Sequence, residues 1–496
     1  MGVWIITAAV ALLLYGLTMA PGVLWGDSGE AQLRVLTGSL RGHRSLARSH
    51  STYYAAACFL RTVLKMEPSR AANLTAAIAG AVTVANFGAI AARFAIHKTA
   101  VIASVCMLMF SHTLWQMSTG AEVVTFYTML LTAELLAMLR FAQSSRPGYL
   151  VLAVLINGLS FSTHDFALLL WPAYAVVVVS AVRRGTLHRR WVGLSAAAWC
   201  LGATPILYLA LNHWRESGSI VATLHSLLIG RYDDPVLNAS ISIRSLSRVV
   251  MMTAYNFPTP LAVTALIGWW CAAKRVPRLW LIYVACAASV VTLFAVRYDV
   301  ADQYTFMVPP YILLMVFAPL GIDRLLASRA RPSVCAGVVA LSAMAPLVYF
   351  VTPQLVRRYA PGVIPASARR VPNRDSYDWF FQPWRCGYDG AERYARRVFD
   401  VLPEGAILIV LDTMRQPLDY LQGRDDLRRD VYLSNSAYDW PGRTRREVTR
   451  DNTDQIIRRG LLYAAAPMPE YISPWMLDER YAFIPAGPVY KVVLQD

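Results

Sequence analysis

From Val3 to Val351 the sequence returns again and again to apolar stretches of roughly 17–22 residues, each long enough to cross about 30 Å of hydrocarbon as a helix. A backbone inside lipid must satisfy its own hydrogen bonds, so stretches of this kind leave the α-helix as the local structure. Spans are predicted at about 3–20, 71–92, 99–115, 122–142, 148–163, 165–182, 191–211, 258–273, 279–296, 304–326 and 333–351. Hydrophobic residues form 56% of the chain, more than an ordinary soluble protein carries. The expected fold is an α-helical polytopic membrane protein with about eleven transmembrane helices. The first segment lacks a basic n-region and a small-residue cleavage site, so a retained helix is expected rather than a signal peptide. His164-Asp165 marks a polar turn between two spans whose joint run is too long for one.

The net charge is +16. Nucleic acid is one reading of such a balance. The distribution favours another, because much of the excess is Arg and Lys in short loops between spans, where it orients a membrane protein. Arg93 and Lys98, Arg146, the Arg183–Arg190 cluster, Lys274 to Arg278, and Arg329 with Arg331 all fall on one side. That side is expected to be cytoplasmic, with the N-terminus inside and the C-terminal tail outside; no nucleic-acid partner is expected. The first outer loop, about 21–70, is also basic and stands against the five short loops. Within it, Ser51–Leu64 is apolar but short and is expected to lie in the interface or to re-enter. Six of the cysteines lie in or beside apolar segments, Cys386 stands alone in the tail, and no metal-type spacing occurs.

Beyond about residue 353 the character changes. A Pro- and Arg-rich linker, 353–388, precedes a tail, 389–496, that alternates strand-like and helix-like patterns. Ala391, Tyr394, Ala395, Val398 and Phe399 make one helical stripe; Ala406 to Leu411 is a buried-strand run; further strands are expected at Asp430–Leu433 and Tyr490–Leu494, with helical patterning at about 453–463. The tail is expected to form a small α/β domain on the outer face, after a transmembrane domain at 1–352. No Gly-rich phosphate loop follows its first strand.

With this topology the polar groups gather on one face. Asp27 and Glu30 follow the first span in Trp25-Gly26-Asp27-Ser28-Gly29-Glu30, at a membrane–water boundary that keeps a carboxylate ionised yet shielded, as a general base requires. A juxtamembrane helix cap explains the same pair. The same face receives His43, His50, Gln116, Glu122, His164, Asp165, Arg297, Tyr298, Asp299, Asp302 and Gln303, and a long loop, 212–257, with Arg231, Tyr232, Asp233 and Asp234. Solvated turn residues account for each of these singly; a mixed set of acid, imidazole and guanidinium at span ends reads as a site. His50 and His164 are open to a metal reading or to that of hydrogen-bonded imidazoles at span ends. Trp379-Phe380-Phe381 and Trp384 suit an interfacial aromatic belt or a stacking surface for an acceptor.

Several of these fragments, in this order, resemble a bacterial membrane family related to protein O-mannosyltransferases, of the GT-C class of glycosyltransferases. The resemblance rests on Ala20-Pro21-Gly22 with Trp25 to Glu30, His50, Trp115 with Ala121-Glu122-Val123, Gly158-Leu159-Ser160 with His164, Asp302-Gln303-Tyr304-Thr305-Phe306 with Pro309 and Tyr311, and Leu402 to Asp412 with Arg429-Asp430-Val431. Ser51-Thr52-Tyr53 departs from the family's Pro-Pro-Gly after the His.

The resemblance implies an inverting transfer of a sugar from a polyprenyl-phosphate-linked donor to a protein or glycan acceptor at the outer face, in contact with membrane lipids. Asp27 is then the expected base, with Glu30 orienting it or sharing the load. Arg297 is expected to meet the leaving phosphate, with Arg44 or Arg48 behind it. Glu122, His164, Asp302 and Gln303 are expected to grip the sugar, and His50 to line the substrate site. No cofactor is expected; paired carboxylates leave a divalent cation open. Two rival classes are a transporter or flippase and a non-catalytic scaffold of envelope assembly. Against the transporter, the spans display no obvious pair of broken helices or matching halves, and ionisable groups gather at one face instead of mid-membrane.

Overall fold

A computed structural model describes residues 1–41, 46–230, 232–327, 330–364, 371–410, 412–434, 448–468, 472, 474–477 and 479–495. His43, Arg44, Arg231 and Arg329 lie outside the described residues. The N-terminal helices are α1 Gly2–Thr18, α2 Gly26–Thr37, α3 Ser51–Leu64, α4 Pro68–Phe94, α5 Lys98–Met109, α6 His112–Met117, α7 Val123–Ser144, α8 Pro147–Phe161, α9 Trp171–Arg183, α10 Arg189–Gly202 and α11 Thr204–Ser217. Helices of membrane-crossing length and hydropathy run over Pro68–Phe94, Val123–Ser144, Asp165–Arg183 and Arg278–Arg297. Against the expectation of no broken helices, four further pairs pass as broken spans, bent by 68° between α10 and α11, 116° between Ile243–Asn256 and Pro260–Arg275, 44° between Gln303–Met315 and Ala318–Leu326, and 41° between Pro332–Ser342 and Ala345–Tyr359; Pro in the first turn of the second segment accompanies the break in each pair. α1, α5 and α8 are shorter apolar helices. The protein is thus an α-helical polytopic membrane fold, with the turn expected at His164 present between α8 and Asp165.

One large apolar cluster joins these helices, centred on Trp280, Tyr283, Phe317, Phe87 and Tyr127. Small residues set the closest approach. A Cβ at Gly268 would stand 1.8 Å from the Phe317 carbonyl oxygen, and one at Gly321 would stand 1.9 Å from that of Thr264. Only hydrogen at both positions lets the two backbones meet.

α3 has 14 residues, about 21 Å of helix and so short of the hydrocarbon thickness. It buries Tyr53, Tyr54 and Ala57 against α2 and α4 and leaves Phe59, Val63 and Leu64 exposed. The expected outer loop at 212–257 is instead largely helical, with α11 followed by Ile220–Leu228, Asp233–Leu237 and Ile243–Asn256. Its apolar residues, including Val221, Ile243 and Met251, are exposed along those helices. Ser, Arg and Asp interrupt the run at helical spacing, which hides its amphipathicity from a span-length hydropathy window.

The tail carries a five-stranded sheet of β1 Ile407–Ile409, β2 Tyr432–Leu433, β3 Leu462–Ala464, β4 Tyr481–Ala486 and β5 Val489–Leu494, in the order β2-β1-β3-β5-β4. β1 pairs in parallel with β2 and β3, while β5 is antiparallel to β3 and β4. Because β1 is central, both of its faces are buried, which is why its sequence is continuously apolar. Leu408 and Val410 join one cluster; Ile407 and Ile409 join the other. The Gly390–Val401 helix buries Ala391, Tyr394, Ala395, Val398 and Phe399, the stripe read from the sequence. β3 and β4 escaped the sequence reading, since β3 begins inside the run read as helical at about 453–463 and β4 contains Pro485.

The tail is not separate from the first loop. Val23, Trp25 and Leu33 belong to the same apolar cluster as Tyr394, Val398, Leu408 and Leu418. Tyr420 also donates its hydroxyl to Glu67 and accepts from the Ser69 amide at 2.8 Å.

Candidate active site

The C-terminal end of α1 and the N-terminal ends of α4 and α7 meet on one face of the helical unit, and a buried amide pair fixes the loop between α1 and α2. Gln32 accepts from the Leu24 amide at 2.8 Å and donates to Asn73 Oδ1 at 2.9 Å; Asn73 donates to the carbonyls of Ala20 and Gly22. The Ala20 amide donates to the Thr119 carbonyl at 2.8 Å. Gly26, at φ +56°, then turns the chain into α2.

Asp27 sits in the first turn of α2 with an exposed side chain. A carboxylate is favoured there by the helix dipole. Next to it, Ser28 is buried and donates from Oγ to Glu122 Oε1 at 2.6 Å. Glu122 caps α7, set deep among protein atoms while part of its surface stays accessible. Its carboxyl is pushed up to about 8, first by burial and then by the charge of Asp27; Asp302 adds to this, while the Ser28 hydrogen bond and the Arg385 charge oppose it. Tyr304 stands by the same group, where the charges of Asp302, Arg385 and Glu122 reach its phenol.

A second group adjoins the first through Tyr54, whose phenol feels Arg34, Glu30, Asp27 and Glu122. His50 and His164 stack with ring centroids 6.0 Å apart. His50 Nδ1 lies 2.6 Å from the Thr163 carbonyl oxygen, which can only accept, so Nδ1 carries the proton and Nε2 the lone pair. Burial, with Arg48 and Arg34 adding to it, holds this imidazole down at about 4 and neutral at pH 7. His164 has the opposite tautomer, because its Nδ1 accepts from the Phe166 amide at 3.2 Å. Burial and the neighbouring His50 also hold it neutral. Arg48 Nε pairs with Asp165 at 2.8 Å, and its guanidinium lies 5.7 Å from the Tyr232 ring centre.

Other expected site residues are engaged in the architecture. Glu30 accepts from Arg34 within α2, at 2.9 Å from Nε. Arg297 Nη1 donates to the carbonyls of Val236 and Asn238, and Asn238 Nδ2 donates back to the Arg297 carbonyl at 2.7 Å. Gln303 is 1% exposed and donates to the carbonyls of Ala295 and Val296, closing the end of the Arg278–Arg297 helix. Asp299 pairs with Arg248 at 3.1 Å. Asp302 is exposed beside this end, and its charge reaches Glu122 and Tyr304.

The sequence reading missed Ser28, Tyr304 and, above all, Arg385. This Arg is buried, with its guanidinium 4.2 Å from the Trp379 ring centre. Nη1 donates to the carbonyls of Gln382 and Trp384 at 2.6 and 2.8 Å, and Nη2 to that of Trp379 at 2.5 Å. Burial lowers its guanidinium to about 10, so the charge persists at neutral pH. The only local signal was a cation placed directly after Trp384 in an aromatic run. That run packs inward: Gln116 donates to the Trp379 carbonyl, Thr119 to that of Pro383 and Tyr255 to that of Phe381. Among the described residues, no group of three or more His, Cys, Asp or Glu side chains is arranged to hold a metal ion.

Residues 49–209 match the model of the family described as dolichyl-phosphate-mannose-protein mannosyltransferase. No curated protein matches the chain in sequence. Among solved structures, the chain resembles ArnT from Cupriavidus metallidurans bound to undecaprenyl phosphate, with 15% identity, a TM-score of 0.60, and coverage of 99% of this chain and 97% of that one. ArnT from Cupriavidus metallidurans in the apo state gives 13% identity, a TM-score of 0.58 and coverage of 99% and 96%. The archaeal oligosaccharyltransferase AglB from Archaeoglobus fulgidus, in complex with an inhibitory peptide and a dolichol-phosphate, gives 11%, 0.47, and 86% and 63%. The likeness to ArnT is one of fold and extends end to end. The chain has the GT-C fold, and the resemblance to glycosyltransferases related to protein O-mannosyltransferases is borne out.

Proposed function

We propose that this chain is a membrane glycosyltransferase that moves a sugar from a polyprenyl-phosphate donor to an extracytoplasmic acceptor, with inversion at the anomeric carbon. The reading assigns 1–352 to the membrane unit, 353–388 to a linker and 389–496 to an extracytoplasmic domain of a bacterial plasma-membrane protein. The observation that carries it is the meeting of Asp27 and Ser28 with Glu122, Asp302, Tyr304 and Arg385, from segments far apart in sequence, at one end of a GT-C helical unit.

In this reading Asp27 removes the proton from an acceptor hydroxyl. The acceptor oxygen bonds to the anomeric carbon as the bond to the phosphate oxygen breaks, and its electron pair leaves with the polyprenyl phosphate. An exposed Asp at a helix N-terminus suits the base; Glu122, with its raised carboxyl, suits a protonated hydrogen-bond donor to the sugar. Asp302, His164 and His50 complete the sugar-facing polar set. The cation for the leaving phosphate is better supplied by Arg48 than by Arg297. The charge of Arg48 reaches both His50 and His164 within the polar group, whereas Arg297 spends Nη1 on the carbonyls of Val236 and Asn238. Glu30 acts through Arg34 to hold the base in place, and Gln303 keeps the nearby helix end closed.

The test is transfer from a polyprenyl-phosphate sugar by purified Asp27→Asn protein in liposomes. A loss of at least about 100-fold with folding retained is expected for removal of a general base. A near-normal rate in correctly inserted Asp27→Asn protein overturns the assignment.

A further inference from the structure

The end of the helical unit opposite the candidate site carries a crevice of about 670 Å³ between α1, α4, α7 and α8. Its position follows from the helices themselves. α4 begins beside Asn73 at the site and α7 begins at Glu122, while the crevice is lined by Arg93 and Arg140, at their far ends. The 22 residues of α7 span about 33 Å, so site and crevice lie at opposite membrane surfaces. The walls are apolar and small on one side, with Ala89, Ala133 and Ala137, and broader on the other, with Val3, Leu152 and Ile156. Val3 and Leu152 are more than two-fifths exposed, so the crevice opens laterally toward the lipid.

At its mouth stand two guanidinium groups. Arg93 gives Nη1 to the Gln143 side-chain oxygen at 3.3 Å, a neutral partner. Neither Arg93 nor Arg140 has a carboxylate partner among the described residues, although each adds positive potential at the other. Nearby on this face Asp323 takes Arg275 at 3.5 Å and the amides of Ile96 and His97, so that carboxylate is already engaged. Two like charges at the rim of an apolar, laterally open crevice call for an anion that brings its own apolar body. Tyr149 and Trp4 also line the crevice as polar-tipped aromatic walls, the Trp4 indole held by Asn86 at 2.9 Å.

We propose that this crevice binds an anionic diacyl phospholipid, its phosphate between Arg93 and Arg140 and one acyl chain against the Leu152–Ile156 wall. Inorganic phosphate would leave the apolar walls wet, and a zwitterionic headgroup would set its own cation against the two guanidiniums. The site is independent of the transfer reaction, since it lies at the other membrane surface.

The test uses the full chain purified in a non-ionic detergent, with phosphatidylglycerol, phosphatidylethanolamine, undecaprenyl phosphate and inorganic phosphate as probes. Binding is followed by native mass spectrometry and thermal unfolding. The wild type is expected to retain phosphatidylglycerol roughly tenfold more tightly than phosphatidylethanolamine, to show a higher Tm with it, and to ignore inorganic phosphate. Arg93→Gln with Arg140→Gln is expected to lose that preference while keeping the lipid-free Tm, and the double Lys variant to keep most of it. Should the double Gln variant fail to fold, Leu152→Trp, which fills the crevice from its lipid-facing side, carries the same expectation with both charges in place. Wild-type retention of phosphatidylglycerol by the Gln or Trp variant, equal binding of the two phospholipids, or preference for undecaprenyl phosphate overturns the proposal.

Discussion

Ser28 Oγ hydrogen-bonds Glu122 Oε1 at 2.6 Å, tying the first turn of α2 to the cap of α7 across 94 positions of sequence. The bond fixes where Asp27 stands, because Ser28 is its neighbour. It also sets two carboxyl groups close enough that the charge of one raises the other.

The first prediction concerns pH. Glu122 has an ordinary value of 4.5 and is raised to about 8 in the folded protein. Between those values the folded state holds a proton that the unfolded chain has released, so stability falls as pH rises across that window and levels off above it. Glu122→Gln, neutral throughout, removes this contribution. The difference in Tm between Gln variant and wild type is expected to grow from pH 5 to pH 8 in favour of the variant, measured by thermal unfolding in detergent. A difference that stays flat rejects the raised carboxyl.

Arg385 is expected to behave as a buried keystone of the 379–385 segment. Arg385→Gln leaves three carbonyls short of donors and removes the cation facing Trp379. A loss of about 1–3 kcal/mol is expected by chemical or thermal unfolding. Arg385→Lys should recover little, because an ammonium cannot span three carbonyls in the plane of a fork.

The two candidate phosphate cations separate by their failure modes. Arg48→Gln is expected to cut transfer by about 100-fold or more in protein that still folds, as for loss of a group that stabilises developing charge, with some loss of Tm because Asp165 loses its ion-pair partner. Arg297→Gln is expected to lower Tm and to raise hydrogen exchange at 236–238, which it braces, with a much smaller effect on rate. The opposite split returns the phosphate role to Arg297.

Gly29 sets how closely α2 approaches the tail. A Cβ there would stand 2.5 Å from the Leu24 carbonyl oxygen and 2.7 Å from Gln416 Cβ. Neither the backbone nor the root of a side chain can yield cheaply, so Gly29→Ala is expected to cost about 1–3 kcal/mol. Limited proteolysis should cut the tail free sooner in this variant than in wild type; unchanged resistance counts against the tight contact.

What the sequence determined alone was what is written locally. The spans are runs of apolar residues, and lipid admits one backbone solution for each. The stripe from Ala391 to Phe399 and the continuous run at β1 likewise carry their partner faces in their own periodicity. That Asp27, Glu122, His164 and Asp302 fall at helix ends on one face followed from counting alternate spans. Which of them meet was a tertiary decision. Polar groups have no period, and their partners are chosen by helix ends brought together from far away, as with Gln116 and the Trp379 carbonyl across 263 positions. Arg297 and Gln303 looked like ligands for a substrate, yet the fold spends them on backbone carbonyls at a helix end. Arg385 looked like linker, yet it is the buried cation whose charge reaches Glu122 and Tyr304. Apolar residues announce their environment one at a time; a charge acquires its meaning only from the groups that folding sets against it.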